Sequence, residues 1–326
     1  PWNTARRFQD TDRPAEAIAR ELNVDAVLVG TFQIAGDQIL TNVSLIEAET
    51  GFQSWADVIV EPYDDIFRMQ LRLATGVAEK LKRELTGEEE AALATPVSRS
   101  VDAYDFYMQG AHILQDGGEE ATDIAFEYFT RALKLDPTLA EAHVGVGAVH
   151  YNRYLYGWGG LSDLERAEAS YEKALELNPQ SMRARRGLVL AHFFRGRIEP
   201  ILVQGQLADL SGRPDDVETV LTRAAALAFG GFQERGLPLY RRAIELDPLN
   251  AEARMMLVSS CWLFEPALVV ETGNDFLRLF GDYHEVHNYL AFAHERLGHN
   301  EKAREHYEKA IATSPPGEPN FEALLF

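Results

Sequence analysis

Apolar positions along this chain keep two different periods, one over the first sixty residues and another from about residue 100 onward. In the first stretch VDAVLVGTFQI (24–34), ILTNVSLIEA (39–48) and FQSWADVIV (52–60) are broken by Gly36-Asp37 and by Glu49-Thr50-Gly51. Such β-branched and aromatic runs bounded by turn signals predict three consecutive antiparallel strands, the first two joined by a tight Gly-Asp hairpin. In the middle run Ile39, Thr41, Val43 and Leu45 alternate with Leu40, Asn42, Ser44 and Ile46, which makes one face more apolar than the other. A short helical stripe precedes the strands at Ala15, Ile18, Ala19 and Leu22. Another follows them at Ile66, Met69, Leu73, Val77 and Leu81, capped by Asp64 or Asp65 and predicted to run to about Leu85.

Beyond residue 100 the period is helical, and one thirteen-residue phrase recurs four times: AFEYFTRALKLDP, AEASYEKALELNP, GLPLYRRAIELDP and AREHYEKAIATSP. In each copy a small residue (Ala125, Ala167, Gly236, Ala303) is followed four positions on by a ring (Phe129, Tyr171, Tyr240, Tyr307). Three positions further comes an alanine (Ala132, Ala174, Ala243, Ala310). Those spacings put all three on one helix face, where the small members admit a neighbouring helix and the ring fills the space beside it. Each closing proline pushes Asp136, Asn178, Asp247 or Ser314 out of the helical region and ends the helix. The prolines 137, 179, 248 and 315 are spaced by 42, 69 and 67 residues. The last two spacings are each twice the roughly 34-residue period of a helix-turn-helix repeat, which predicts an unmarked repeat inside each.

The phrase resembles the tetratricopeptide repeat. Gly110, Gly147, Ala224 and Ala291 stand at the small-residue position of the preceding helices, and Leu290, Ala291, Gly298, Ala303, Tyr307, Ala310 and Pro315 match that family's pattern without a gap. Six units are read: 101–137, 138–179, 180–213, 214–248, 249–282 and 283–315. The third and fifth rest on spacing and on the amphipathic stretches GRIEPILVQGQLADL and FEPALVVETGNDFLRLF. The stretch YNRYLYGWGGLS (151–162) lengthens the turn of the second unit, as a longer first helix or a protruding contact loop. Residues 10–85 are similar to the later part of the TolB-like domain that precedes tetratricopeptide arrays in bacterial signalling proteins. The likeness is carried by IARELNVDAVLVGTFQIAGDQI, LIEAETGFQSWAD and Asp65-Ile66-Phe67 with Gln70. It implies an N-terminally truncated α/β module over 1–90 with an exposed sheet edge and less order than the array. A linker over 91–100, an array over 101–315 and a tail over 316–326 complete the expected organisation, and the start at Pro1 reads as a fragment. The fold class is therefore an α+β module of three antiparallel strands followed by an all-α superhelical solenoid.

Composition narrows the partners. Thirty-one basic against fifty-one acidic residues give a net charge of −20, which disfavours nucleic acid and anionic membrane surfaces and leaves a basic protein partner open. With 46% hydrophobic residues the chain has ample material for a core. Cys261 is the sole cysteine, so no intrachain disulfide forms, and it reads as a packed small residue. No run of 18 apolar residues is present, so this segment does not insert in a membrane. The expected compartment is cytoplasmic, or extracytoplasmic if a membrane span precedes Pro1. Asn42-Val43-Ser44 spells a glycosylation sequon in mid-strand and reads as chance.

A search for chemistry finds neither a phosphate or dinucleotide loop, nor a nucleophile elbow, nor a zinc motif, and no cofactor is expected. His284 and His287 near Asp282, and His143 with His150, lack a convincing third ligand and read as structural. What remains is the lining of the concave groove, which the resemblance assigns to the first helix of each unit. Its candidate residues are Val144, Ala148 and Tyr151; Arg186, Leu190 and Phe193; Leu221, Ala225 and Phe229; Met255, Ser259 and Trp262; Asn288, Phe292 and Glu295. A groove for a terminal carboxylate would repeat Lys, Arg and Asn, and only Arg186 and Asn288 fit. The lining instead suits an apolar peptide seated by aromatics, or else these rings are solenoid core. The tail FEALLF (321–326) could occupy that groove or cap the last unit. The expected function is a non-catalytic interaction and sensory scaffold with a protein or peptide partner. The alternatives are a hydrolase using carboxylates between the two modules and a self-associating assembly protein.

Overall fold

The structure, a computed structural model, describes residues 8, 11–22, 24–62, 66–80, 97–210, 213–262 and 264–314. The chain divides into two compact units, one through Tyr104 and one from Asp105. Leu81, the predicted caps Asp64 and Asp65, most of the expected linker and the FEALLF tail lie outside the described residues.

In the first unit α1 (Ala15–Leu22) is followed by β1 (Ala26–Ala35), β2 (Gln38–Glu47) and β3 (Gln53–Pro62), then α2 (Ile66–Lys80). The strands form an antiparallel sheet in the order β1-β2-β3. Ala35 pairs directly with Gln38 across the two-residue Gly36-Asp37 turn, where Gly36 takes a φ of 66° that suits a residue without a Cβ. On β2 the odd positions Ile39, Thr41, Val43 and Leu45 are buried. Their partners on β3 include Trp55 and the fully buried Ile59, and α2 packs on β3 so closely that Gly76 lies against the Trp55 ring. Thr41 Oγ1 donates to Met69 Sδ of α2 at 3.0 Å. The register puts Phe32 and Ile34 of β1 on this same face, beside Thr41 and Ile39, yet both stay mostly exposed.

From residue 101 the described chain is helical: α3 (Val101–Ile113), α4 (Glu119–Leu135), α5 (Ala140–Leu155), α6 (Leu161–Leu177), α7 (Met182–Phe194), α8 (Ile198–Asp209), α9 (Val217–Phe229), α10 (Gln233–Leu246), α11 (Ala251–Cys261), α12 (Pro266–Phe280), α13 (His284–Arg296) and α14 (Asn300–Thr313). These are six consecutive antiparallel pairs, including α7–α8 and α11–α12 where the phrase is missing. The phrase helices are α4, α6, α10 and α14, and their small-ring-alanine triads are all buried. Tyr171 shows how the triad works: its ring lies against Gly147 of α5 and Gly187 of α7, where any Cβ would overlap it.

The turns that follow α4, α6 and α10 are built alike. The N–H groups of Asp136, Asn178 and Asp247 still donate to Ala132, Ala174 and Ala243, while their own φ of −135° to −136° is extended, as the following proline demands. Their side-chain oxygens then accept from the backbone two residues on, at 3.0, 3.1 and 3.1 Å, closing Asx turns. Ser181, Asp216 and Asn250 cap α7, α9 and α11 by accepting from Ala184, Thr219 and Ala253.

Candidate functional site

The first helices of units two to six pack on one another in succession: α5 on α7, α7 on α9, α9 on α11, α11 on α13. They form the inner layer of the array, and the candidate residues must be judged there. Val144, Leu221, Ala225 and Asn288 are buried; Ala148, Tyr151, Leu190, Phe229, Met255, Ser259, Trp262 and Phe292 are half-buried; Phe193 and Glu295 are exposed.

Arg186 occupies the centre of this layer and is only 3% exposed. Its Nε and Nη2 donate to the two carboxylate oxygens of Glu252 at 2.6 and 2.7 Å, and its Nη1 and Nη2 both lie 3.0 Å from Glu218 Oε2. One guanidinium thus ties α7 to α9 and α11. Burial alone would depress the Arg186 pKa, but the two carboxylates outweigh it and raise it further. Burial likewise pushes Glu252 up, and the guanidinium brings it below the ordinary value. Arg186 is a carboxylate clamp for its own chain. Its ligands stand at the second position of α9 and α11, as Glu141 and Glu285 do on α5 and α13. That recurrence was available in the sequence and marks residues the groove reading had passed over.

Beside the clamp runs a ladder of rings. Tyr151 and Tyr154 of α5 approach Phe194 at centroid distances of 5.9 and 5.6 Å; Phe194 meets Phe193 at 5.3 Å, and Phe193 meets Phe229 of α9 at 4.9 Å. Phe193 remains 40% and Phe194 36% accessible. Trp262 pairs with Phe292 at 5.3 Å, and Phe292 stands edge-on to Tyr307 of the phrase helix α14. Of these rings Tyr154 and Phe194 escaped the sequence reading, since each lies one residue off the groove register.

The inserted segment resolves into both of its alternatives: α5 continues to Leu155, and a turn follows. Tyr156 Oη donates to Glu285 Oε1 of the last unit at 2.5 Å, 129 residues away. Burial raises the Tyr151 hydroxyl pKa strongly, with Tyr171, Glu285 and Tyr289 adding to it. At the foot of the segment the buried pair His150 and Asp163 lies 2.9 Å apart, and Asp163 Oδ2 accepts from Gly160 N at 3.1 Å.

Histidines gather in the last unit. His287 Nδ1 lies 3.0 Å from His306 Nδ1, and its Nε2 is 3.2 Å from Asp282 Oδ1. His294 stacks on His306 with centroids 5.4 Å apart and approaches His299 at 3.4 Å. Among the described residues no group of three or more His, Cys, Asp and Glu side chains could hold a metal ion, and no helix is long and apolar enough to cross a membrane.

Parts of this chain are similar to known families and proteins. Residues 159–199 and 284–316 each match a tetratricopeptide repeat family model. "Putative adenylate cyclase 3" of Rhizobium meliloti (strain 1021) is 24% identical over 199 residues, which cover 60% of this chain and 34% of that protein. The chain thus aligns with about a third of the length of that curated relative. A human IFIT1 dimer, solved with m7Gppp-AAAA, superposes with a TM-score of 0.54 at 15% identity over 77% of this chain and 57% of its own. The tetratricopeptide protein TTC0263 of Thermus thermophilus is 20% identical over 57% of this chain and 95% of its own, with a TM-score of 0.45. The two matched stretches and the six helix pairs give the helical unit the fold of a tetratricopeptide-type solenoid, a fold that serves as a scaffold for protein contacts.

Proposed function

We propose that this chain is the non-catalytic interaction and sensory region of a larger bacterial signalling or transcription-regulating protein, and that its array seats an apolar peptide against the ring ladder of the inner layer. The observation that carries this is Phe193. It stands in a continuous ladder from Tyr154 to Phe229, on α7, which Arg186 ties to α9 and α11, and yet is 40% accessible. A rigid, partly open aromatic is the kind of anchor around which binding energy concentrates. Leu190, Phe229, Met255, Trp262 and Phe292 extend the same lining, with Ser259 as its polar member. The likeness to a protein named as an adenylate cyclase supports an effector of that class in the same polypeptide, and a cytoplasmic setting for this region. The three-stranded unit is read as TolB-like on the residues that carry that resemblance.

The test is selection of twelve-residue peptides on the immobilised array, followed by calorimetry. Peptides that bind the native chain should lose at least tenfold in affinity on Phe193→Ala, with the helical content unchanged by circular dichroism. Selected peptides that bind both proteins equally would refute the groove.

One observation favours a second reading, self-association. Strand β1 carries no charged residue, and Phe32 and Ile34 are 73% and 58% exposed on it, a composition that invites edge pairing. Sedimentation of the native chain against Phe32→Lys decides it: a dimer lost on substitution supports edge pairing, and two monomers eliminate it.

A further inference from the structure

We propose that the histidines along the seam between α13 and α14 form an acid-operated latch: neutral, they hold α14 on the array, and on taking up protons they release it while the other units stay folded. One end of the array thereby responds to pH. This is independent of the groove reading above.

His287 and His294 stand two turns apart on α13, and His306 of α14 reaches both. Its Nδ1 lies 3.0 Å from His287 Nδ1, and its ring stacks on His294 with centroids 5.4 Å apart and 14° between the planes. His299, in the turn between the helices, brings its Nδ1 to 3.4 Å from His294 Nδ1. His287 is fully buried and His294 nearly so.

Two facing ring nitrogens this close share a single proton. The carboxylate of Asp282, 3.2 Å from His287 Nε2, assigns the ring proton of His287 to that nitrogen. His287 Nδ1 is then the acceptor and His306 Nδ1 the donor. A further proton on His287 sets two N–H groups against each other across 3.0 Å, and the contact must open. The facing nitrogens of His294 and His299 likewise accommodate one proton between them.

The charged groups that act on these rings come from the turns on either side of α13 and from α14. Lys302 and Lys309 of α14 oppose protonation, as does His299, while Asp282 and Glu305 favour it. Burial first, and then the neighbouring positive charge, keeps all three seam histidines below the ordinary value, His306 at about 4. Once α14 is free they regain the ordinary value of 6.5, so release takes up protons and is favoured as the pH falls below it. His306 alone raises the release equilibrium about twentyfold between pH 7 and pH 5.

Release is local because of where α14 stands. It packs on α13 through Ala303 and Tyr307 against Ala291, and no later helix among the described residues covers it. A terminal element of a solenoid has one neighbour to lose and opens at the low end of the stability range. The residue before the phrase ring is His306 only in this copy; it is Tyr128, Ser170 and Leu239 in the others, none of which takes up a proton in acid. Release takes Tyr307 away from Ala291 and from the edge of Phe292.

Hydrogen exchange of the native chain, read by mass spectrometry and corrected for the intrinsic rate at each pH, tests the latch. Between pH 7 and pH 5 the amides of residues 284–314 are expected to lose about twentyfold in protection, while those of α6 and α10 keep theirs. His306→Gln should remove most of that pH dependence, whatever its protection at pH 7, since glutamine takes up no proton. A loss shared equally by α6 and α10 overturns the latch, because the array then unfolds as a whole. A seam that stays protected at pH 5, or one that loosens with pH equally in His306→Gln, overturns it as well.

Discussion

Arg186 and Glu252 lie 66 residues apart in the chain and share two hydrogen bonds, 2.6 and 2.7 Å long, across the inner layer of the array. A guanidinium meeting a carboxylate in this forked geometry is a directional link, and Glu218 completes it from the helix between them. Repeats in a solenoid ordinarily contact only their neighbours. This contact skips one, since it joins the third unit to the fifth.

Removing the guanidinium therefore leaves two carboxylates facing each other. Arg186→Ala is expected to lower stability by about 3 kcal/mol, less than for a fully buried pair because Glu218 and Glu252 are 40% and 45% exposed. Arg186→Met combined with Glu218→Gln and Glu252→Gln should recover most of the loss. Urea midpoints at constant m-value measure both.

Tyr171 makes a packing prediction of a different kind. Its ring is gripped between Gly147 and Gly187, so Gly187→Ala pushes a methyl group into the ring and should destabilise by roughly 1–3 kcal/mol. Pairing it with Tyr171→Leu should relieve part of that cost. Thermal melts of the single and double variants decide whether the steric argument holds.

Much of the fold was legible because its causes are local. The small-ring-alanine triads, the pre-proline turn residues and the Gly36-Asp37 hairpin each act within a few residues, and unit spacing pointed to the two pairs that lack the phrase. The site was legible only in part. Leu190, Phe193, Phe229 and Trp262 could be placed on the inner helices by register. That Arg186 would be satisfied by Glu252, or that Tyr156 would reach Glu285, depends on how far the superhelix winds over 66 or 129 residues. No short pattern encodes that. Val144 and Asn288 show the same limit, because register places them on the inner layer but only packing shows that they are buried there.

The histidine cluster gives a pH dependence with a definite sign. Burial lowers the pKa of His287, His294 and His306, the last to about 4, with its histidine neighbours and then Lys309 and Lys302 adding repulsion. Asp282 beside His287 and Glu305 near His294 oppose this, and His299 reinforces it at His294. A base whose folded pKa is depressed binds more protons when unfolded, so stability is full above about 6.5 and falls as the pH drops toward 4. Melting temperature should fall by several degrees between pH 7 and pH 4.5. His306→Gln, which cannot take up a proton, should flatten that slope, and an unaltered slope would place the titration elsewhere.

Cys261 is buried and its pKa is pushed up to about 12, mainly by desolvation, while its Sγ donates to Leu257 O at 2.8 Å. A thiol held protonated and out of solvent should not react with a disulfide reagent in the native protein. Full reaction is expected only in denaturant. Rapid reaction of the native chain would mean that α11 opens far more readily than its packing suggests.

The central claim, that a partner is bound on the inner layer, is tested most directly by where a bound peptide can be photocrosslinked. A benzoylphenylalanine at Phe193 should capture a selected peptide, and the same residue at Leu210, which is 80% exposed just beyond α8, should not. Capture at 210 without capture at 193 would contradict the account.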